Sequence, residues 1–502
     1  MALSSSISLS LKCTHNTQAG RARVNRDHSL RVRSRRRAQD AVAATLDAKF
    51  DNETRSHKLQ VLIAGGGLGG LFLSICLAKK GIDVTVLEQT KNYRPLGGPI
   101  QLASNGMSVL KATSEQLYRR VQDNSRPFWG TKSGIKDGLT SEWMFEFDAI
   151  TQIPKKRELP FAVCIDRSDL QRCLLDEIAL LSSVTTYGRV NIEMGALVKN
   201  FEENKGSGRV NVMLEDGSVL DADLLIGADG IWSSVRAQMF NEPVGVRGSE
   251  STASYSGYKL FSGLPIYKSE DYFDIGYCAF IGPDNYFVTC PDRHGRLQWY
   301  AFVKSPPNTL SNASPVEFLL NKFSDWSPEV KNLISITSEI DIKQRDLWDR
   351  PPCVLQSWSK GRVALLGDSC HATMPNIGQG TGLAFEDAYI LSARLEHIKP
   401  DSSIDIILKE YYAQRLFRTA AIQGLGRMNS EAIKILTPLL PIKPIIDSIV
   451  SPFLPIVFTI QFGYCYSFCP MKETEADSLV SAAKMDNRHR LESQRAWMEN
   501  LE

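Results

Sequence analysis

The chain has 502 residues, 43% hydrophobic and 23% charged, ample for one large or two ordinary globular domains with a real core. These proportions exclude a disordered tail, a collagen-like fibre and a disulfide-stapled miniprotein. The formal charge of +2 conceals an asymmetry: residues 1–37 carry nine Lys and Arg against one acid, Asp27, which leaves 49 bases and 55 acids, a net −6, over the rest. Phosphate backbones are held by clustered Lys and Arg, so no nucleic-acid partner is expected.

The first fifty residues are rich in Ser and Arg and almost free of acids, the composition of an organelle transit peptide. A disordered basic tail is the alternative, and a secretory signal is disfavoured because serines interrupt any apolar stretch. Residues 1–57 are therefore set aside as transit peptide and linker. Ten cysteines with no C-x-x-C pair read as mostly buried thiols of a reducing compartment.

Residues 59–64 form a short apolar run, followed by Gly65-Gly-Gly67-Leu-Gly-Gly70, a helical pattern over 71–80 and a second apolar run, 83–87, ending in Glu88. Strand, glycine turn, helix and strand within about thirty residues make the βαβ unit of a dinucleotide-binding fold. Gly65 permits the tight turn, Gly67 lets a pyrophosphate approach the backbone, and Gly70 lets helix pack on strand. The phosphates would sit on the free amides of the helix N-terminus. Glu88, 18 residues past Gly70, suits the adenosine ribose hydroxyls, or is a solvated strand end.

Alternating patterns then predict strands over 143–147, 210–214, 223–226, 255–261, 286–289 and 297–303, suggesting an inserted, mainly antiparallel sheet. Two further strand-to-turn motifs stand out. One is Leu224-Leu-Ile-Gly227-Ala-Asp229-Gly230. The other runs from Val363 through Gly367-Asp368-Ser-Cys-His371 to Pro375-Asn-Ile-Gly378-Gln-Gly380, ahead of a helix over 382–395. Asp368 can accept a hydroxyl of a ribityl chain, and the loop 375–382 opens onto a helix whose amides face developing negative charge. Each aspartate could instead be a helix cap. The pattern is helical again over 411–434.

These three fingerprints in this order resemble the single-component flavoprotein monooxygenases that bind FAD and use NAD(P)H. Gly98-Pro-Ile-Gln101, Asp137-Gly138 with Trp143 and Phe147, Tyr255-Ser-Gly-Tyr258, Gln298-Trp-Tyr-Ala-Phe302 and Gly378-Gln-Gly380 look like the zeaxanthin epoxidase branch of plants. The resemblance covers roughly 58–430. It implies an α/β fold: a Rossmann-type FAD-binding domain in three parts (58–137, 164–248, 351–396) and an inserted mainly antiparallel β-sheet substrate domain in two (138–163, 249–350); the residues beyond it, which diverge from the family, read as a helical, apolar C-terminal extension (397–502).

Carried over, Gly65, Gly67, Gly70 and Glu88 hold the adenosine half of FAD, Arg167 lies beside the pyrophosphate or ribityl chain, and Gln101 belongs to a cofactor-facing stretch. Asp229 and Gly230 match a motif associated with FAD and the passing NAD(P)H. Gly367 and Asp368 match the ribityl-binding residues, and Pro375, Gly378 and Gly380 the loop over the isoalloxazine. His371 is read as a structural hydrogen-bonding residue, with no metal expected.

The implied reaction is reduction of FAD by NAD(P)H or a plastid electron donor, addition of dioxygen, and transfer of one oxygen from a flavin hydroperoxide to the alkene of a carotenoid end ring. Such a transfer needs no protein base. The competing readings are hydroxylation of another apolar or aromatic plastid metabolite, and a catalytically silent flavin or carotenoid carrier. Trp143, Phe147, Tyr258, Trp299 and Phe302 are candidates to line an apolar tunnel, with core packing as the alternative. Land-plant epoxidases of this branch carry a C-terminal forkhead-associated domain, for which this sequence leaves no room.

Residues 433–471 contain six prolines, and no charge falls between Ser448 and Met471. Pro452, Pro455, Gln461 and Gly463 argue against a spanning helix. Docking on a thylakoid or envelope membrane surface and packing as a Pro-broken core segment are the two readings.

Overall fold

The computed structural model describes residues 59–470 apart from 95–97, 205, 245–251, 310–313, 397, 399–402, 437–452 and 469. The expected transit segment 1–57 and much of the apolar tail lie outside the described residues.

A six-stranded sheet runs in the order Ser359–Lys360, Val363–Leu365, Leu224–Gly227, Gln60–Ala64, Asp83–Glu88, Val190–Met194. All its pairings are parallel except that of the short edge strand Ser359–Lys360. Val61 to Ala64 and Leu224 to Ile226 are buried, as expected of parallel strands covered on both faces. The helix Leu68–Lys79 packs through Phe72 on Phe385 of the helix Gly380–Glu396, ring centroids 4.3 Å apart. The first strand is flanked by the second on one side and by Leu224–Gly227 on the other. The carboxyl ends of strands at such a reversal form a crevice where ligands bind.

The second large sheet has seven strands, in the order Lys343–Asp349, Ser254–Gly263, Leu297–Lys304, Asn285–Pro291, Ile275–Ile281, Lys132–Asp137, Trp143–Glu146. Only the pairing of Ile275–Ile281 with Lys132–Asp137 is parallel. Period-two alternation separates its faces. Phe261, Phe280, Phe287 and Trp299 pack under the helices Pro315–Lys322 and Pro328–Ser335, while Tyr258, Leu260, Tyr286, Val288 and Phe302 face Met374.

Several expectations are corrected here. Arg209–Leu214 belongs to a separate three-stranded antiparallel sheet with Val198–Asn204 and Val219–Ala222, and Leu224–Gly227 to the parallel sheet. Alternation and apolar runs report burial, not which sheet a strand joins. Lys132–Asp137 lies in the seven-stranded sheet although it falls within the expected 58–137 cofactor part. Trp299 leaves the candidate tunnel: it is fully buried on the far face, its indole N–H donating to Thr337 Oγ1 at 2.9 Å. Trp143 also leaves it, lying on the sheet edge beneath the Lys136 ammonium.

Among the described residues no helix is long and apolar enough to cross a membrane. The tail instead contains a twelve-residue helix, Leu454–Cys465, with Pro455 in its first turn, where the missing N–H costs nothing. One face is core: Phe458 packs on Phe145 and Phe147, Phe462 on Phe147, and Tyr466 follows on Phe462. The other exposes Phe453, Ile456, Val457 and Ile460. Arg418, from the long helix Ile404–Leu436, fastens the end by donating to the carbonyls of Tyr464 (3.1 Å) and Cys465 (2.8 Å) and to Ser467 Oγ (3.2 Å). Phe458→Lys, which puts a charge into an aromatic contact, is expected to destabilise the protein by on the order of 2 kcal/mol or more. Ile460→Lys, on the exposed face, should stay within about 0.5 kcal/mol of the parent. Denaturant unfolding of both variants measures the contrast.

Candidate cofactor site

The three sequence motifs converge because their strands are neighbours: Gln60–Ala64, Leu224–Gly227 and Val363–Leu365 end side by side, each running into its glycine turn. Ala228 N–H donates to Ala64 O (2.7 Å) and Leu366 N–H to Gly227 O (2.9 Å), so the turns start in register. Gly65 has φ +109°, and a Cβ there would overlap the Ala228 carbonyl. A Cβ on Gly70 would overlap the Gly65 carbonyl, the close helix-to-strand approach expected of the third glycine. At Gly67 a Cβ would meet nothing within 4 Å. That open side lies at the start of Leu68–Lys79, where no side chain caps the first amides, an arrangement suited to a pyrophosphate.

Glu88 is buried and accepts Gly66 N–H (2.9 Å) and Thr90 N–H (2.8 Å). It is therefore no solvated strand end, and two carboxylate oxygens retain lone pairs for ribose hydroxyls. Beside it lies Tyr93, which the sequence patterns do not single out, with a buried hydroxyl unpartnered among the described residues. Burial, with Glu88 nearby, pushes that phenol up to about 12.

The two aspartates part company. Asp229 Oδ2 accepts Ser234 N–H (2.7 Å) and Val235 N–H (3.3 Å), capping the helix Ser234–Phe240, while Oδ1 stays buried and unpartnered among the described residues. Gly230 follows with φ +81°. Asp368 caps nothing: it opens the short helix Asp368–His371 after Gly367 (φ +65°) and makes no hydrogen bond among the described residues. Its carboxylate faces an opening yet sits deep in the fold. Depth raises its pKa, and the charges of His371, Arg167 and Arg345 oppose that rise.

Arg167 heads the helix Arg167–Leu181, largely enclosed, in the field of Asp368 and Glu88 and without a hydrogen bond among the described residues. Burial lowers its pKa, the two carboxylates resist, and a guanidinium stays protonated. Arg345, on the strand Lys343–Asp349, adds a second cation to this field. Its only sequence signal is a basic residue at an alternating strand position.

Pro375 starts a 3-10 turn, Pro375–Ile377, and Gly378 follows with φ +60°, so close to Gln101 that a Cβ would lie 2.5 Å from its Oε1. Gly380 begins the helix Gly380–Glu396, two residues earlier than the pattern suggests, and the first turn-closing amide is that of Leu383, donating to Gln379 O (2.8 Å). The amides of Gly380, Thr381 and Gly382 precede that bond. Gln101 and Gly378 are thus brought together, and Tyr300 OH donates to Pro99 O (2.8 Å), tying this edge to the seven-stranded sheet.

Behind the motif lies a buried ionic network. Asp387 Oδ2 accepts Gly367 N–H (3.0 Å) and lies 2.6 Å from His371 Nε2, while Oδ1 takes Arg415 Nε at 2.7 Å. Arg415 also pairs with Glu386 (2.7 Å), which accepts from Asn105 Nδ2 (2.6 Å) and from Arg418 on both oxygens (2.6 and 2.7 Å). The Cys370, His371 and Asp387 ligand atoms lie within 4.8 Å of one another, but Asp387 is already matched by two cationic side chains. Paired acids at buried helix positions 386 and 387 are the only signal the sequence gives of this network.

A family model described as FAD binding domain matches residues 58–423. The chain belongs to this family. FAD is its cofactor, and NAD(P)H is the reductant typical of the family. Its sequence is 36% identical over 388 residues to the chloroplastic zeaxanthin epoxidase of Oryza sativa subsp. japonica, covering 74% of this chain and 55% of that protein. It is 34% identical over 407 residues to that of Spinacia oleracea, covering 77% and 56%. The chain thus spans little more than half the length of these relatives. In fold it is similar to Klebsiella pneumoniae HpxO complexed with FAD and uric acid (TM-score 0.68, 24% identity, 82% of this chain and 98% of that one). It is also similar in fold to a salicylate hydroxylase substrate complex (TM-score 0.64, 19% identity, 82% and 96%).

The residues present fit FAD: an open helix N-terminus at Gly67, an unpaired carboxylate at Asp368, an unpaired guanidinium at Arg167, and free amides at Gly380. Gly67→Val is expected to fold, since its Cβ meets nothing, yet to lose FAD by occupying the pyrophosphate approach. Asp368→Ala should weaken FAD binding by about 1.5–3 kcal/mol, roughly ten- to a hundredfold. Flavin content after gel filtration and fluorescence titration of the apoprotein read both outcomes.

The network sets a pH dependence. For Asp387, burial acts upward, but His371 and Arg415 outweigh it and hold the carboxyl at about 2. For His371, burial acts downward, but Cys370 and Asp387 hold the imidazole well above its ordinary value. The lowered Asp387 contributes stability above its unfolded pKa near ~3.9 and loses it toward 2; the raised His371 contributes fully below ~6.5 and loses it as pH rises through the folded value. The pair therefore stabilises most between about pH 4 and 6.5. Asp387→Asn is expected to cost about 3–5 kcal/mol in that window, since it leaves charges buried, and to flatten the alkaline fall in Tm between pH 6 and 10 measured by calorimetry.

Proposed function

We propose that this protein is an FAD-dependent monooxygenase that epoxidises the end ring of a carotenoid, a xanthophyll such as zeaxanthin, in the plastid. The observation that carries the reading is the apolar face of the seven-stranded sheet beside the loop at 374–380. Tyr258, Leu260, Tyr286, Val288, Phe302 and Leu347 cluster there with Met374, the residue before Pro375. These members are aliphatic and aromatic side chains. Transfer of oxygen to an alkene suits such a lining, because the alkene is itself the nucleophile and no base has to take a proton.

Bound FAD supplies activation of dioxygen and delivery of one oxygen atom. This chain's residues do the rest. Gly67 and the amides after it would hold the pyrophosphate, Glu88 the ribose, and Asp368 with Arg167 the ribityl and phosphate region. The amides of Gly380 to Gly382 would offer hydrogen-bond donors and a helix N-terminus to negative charge on the isoalloxazine. The aromatic cluster orients the ring and excludes water.

The chloroplastic zeaxanthin epoxidases similar to this chain and the Arg- and Ser-rich start of the sequence support a plastid location. The exposed Phe453, Ile456, Val457 and Ile460 of the tail helix support attachment to a lipid surface, from which a dissolved carotenoid enters. Full-length protein reconstituted with FAD, given NADPH and zeaxanthin, β-carotene or an aromatic acid in liposomes, tests the reading. A carotenoid product carrying one added ring oxygen, with carotenoid-stimulated NADPH oxidation, is expected. Ile456→Lys with Ile460→Lys should keep FAD and lose both liposome binding and carotenoid turnover. Turnover of the aromatic acid alone would replace the epoxidase reading with a hydroxylase, and flavin reduction without any product would point to a carrier.

A further inference from the structure

The helix Ala149–Arg157 ends in Lys155-Lys156-Arg157, all three exposed. Lys155 and Lys156 make no side-chain hydrogen bond or ion pair among the described residues. Arg157 donates to Gly463 O at 2.8 Å, which sets this basic end against the tail helix Leu454–Cys465. The two helices also share one buried cluster, which holds Ile150, Ile153, Phe458 and Phe462. Lys156 and Arg157 lie three and four residues past Ile153, on the side of their helix that is turned to the tail helix. The tail helix presents Phe453, Ile456, Val457 and Ile460 outward, each more than half exposed, at the i, i+3, i+4, i+7 spacing of one stripe. No charged residue lies between Ser448 and Met471, so the cations beside this stripe come from the neighbouring helix.

A helix C-terminus favours cations on its own account, but that does not explain four large apolar side chains left in solvent next to them. The acids in this stretch are Glu158, after the basic run, and Glu146 and Asp148, which precede the helix at its other end. From residue 38 onward the chain has 49 bases against 55 acids, a net −6. An anionic surface repels a body of that sign, and a local excess of cations decides which face turns toward it.

We propose that Lys155, Lys156 and Arg157, together with the outer stripe of the tail helix, form one docking face for a bilayer that carries anionic lipid. The stripe enters the acyl boundary, and the three cations meet the headgroups. The inference rests on the proposed reading that the stripe meets a lipid surface, and it adds which lipid and in what orientation. The bond from Arg157 to Gly463 and the shared cluster hold cations and stripe as one unit.

Flotation of the full FAD-loaded chain with liposomes of phosphatidylcholine, alone or mixed with phosphatidylglycerol, tests this. Every variant keeps residues 1–37, so their nine Lys and Arg weigh equally in each. Lys155→Gln with Lys156→Gln is expected to weaken binding to the mixed vesicles by roughly tenfold or more, and added NaCl should shrink that difference. Its binding to phosphatidylcholine alone, FAD content and Tm should stay those of wild type. Lys199→Gln with Lys360→Gln, which removes the same charge from exposed positions on other sheets, should bind the mixed vesicles like wild type. Ile456→Ser with Ile460→Ser removes apolar area without adding charge and should weaken binding to both vesicles. Wild-type binding of Lys155→Gln with Lys156→Gln to the mixed vesicles, or an equal loss in the control pair, overturns the assignment of the cations alone. If the Ile456 and Ile460 variant binds both vesicles like wild type, attachment through the tail helix falls and this inference with it. A dimer seen by sedimentation without lipid, and dissociated by the same variant, would give the stripe to a second copy of the chain instead.

Discussion

The salt bridge between Asp387 and Arg415 is the interaction on which the rest of this architecture depends. Both side chains are almost wholly removed from solvent, and an unpaired charge at either position would cost several kcal/mol. Each is satisfied by more than one neighbour: Asp387 by Gly367 N–H, His371 and Arg415, Arg415 by Asp387 and Glu386. Two carboxylates and two guanidiniums, Asp387, Glu386, Arg415 and Arg418, balance one another. The remaining imidazolium of His371 lies in the field of Asp368. Burial raises the pKa of the Asp368 carboxyl, and this charge anchored behind it opposes the rise.

That network also fixes geometry. Gly367 adopts a left-handed conformation that a side chain would strain, and its N–H is held by Asp387. The long helix that supplies Arg415 and Arg418 also holds the loop at 375–377, since Asn376 Nδ2 donates to Gly426 O and Ser430 Oγ, both at 2.9 Å. Helix, loop and cofactor turn are consequently one hydrogen-bonded unit. Removing the arginines would disturb them together, although neither residue is in the cofactor fingerprints.

The local motifs were legible in the sequence because each is a backbone requirement written in residue type. Gly65 and Gly378 need left-handed conformations, Gly70 needs close approach, and Asp368 follows a strand that ends at the crevice. The partner of each strand was not legible, since burial produces the same apolar spacing at 210–214, which joins a small separate sheet, as at 297–303. Nor was the role of aromatics: Trp299 and Phe302 are three residues apart, so alternation puts them on opposite faces, and only Phe302 lies toward the cofactor loop. Arg345 and the Glu386–Arg418 pairing escaped for a simpler reason. Their partners lie at least 20 residues away, where spacing carries no signal except through the fold.

The tail helix is a core element that also carries an apolar outer stripe. A helix of twelve residues has room for two stripes, and in Leu454–Cys465 both are apolar. The inner stripe, Phe458 and Phe462 with the following Tyr466, completes the cluster around Phe147, Ile377 and Cys290, which Tyr277 joins to the cluster of Tyr286 on the seven-stranded sheet. The outer stripe stays in solvent. A helix that were only a core element would carry polar residues outward, and one that only lay on lipid would have no reason to be bolted through Arg418 to the buried carboxylate of Glu386. The two stripes are thus opposite faces of one rigid element, and a load on the outer one bears on the buried cluster that Tyr277 adjoins.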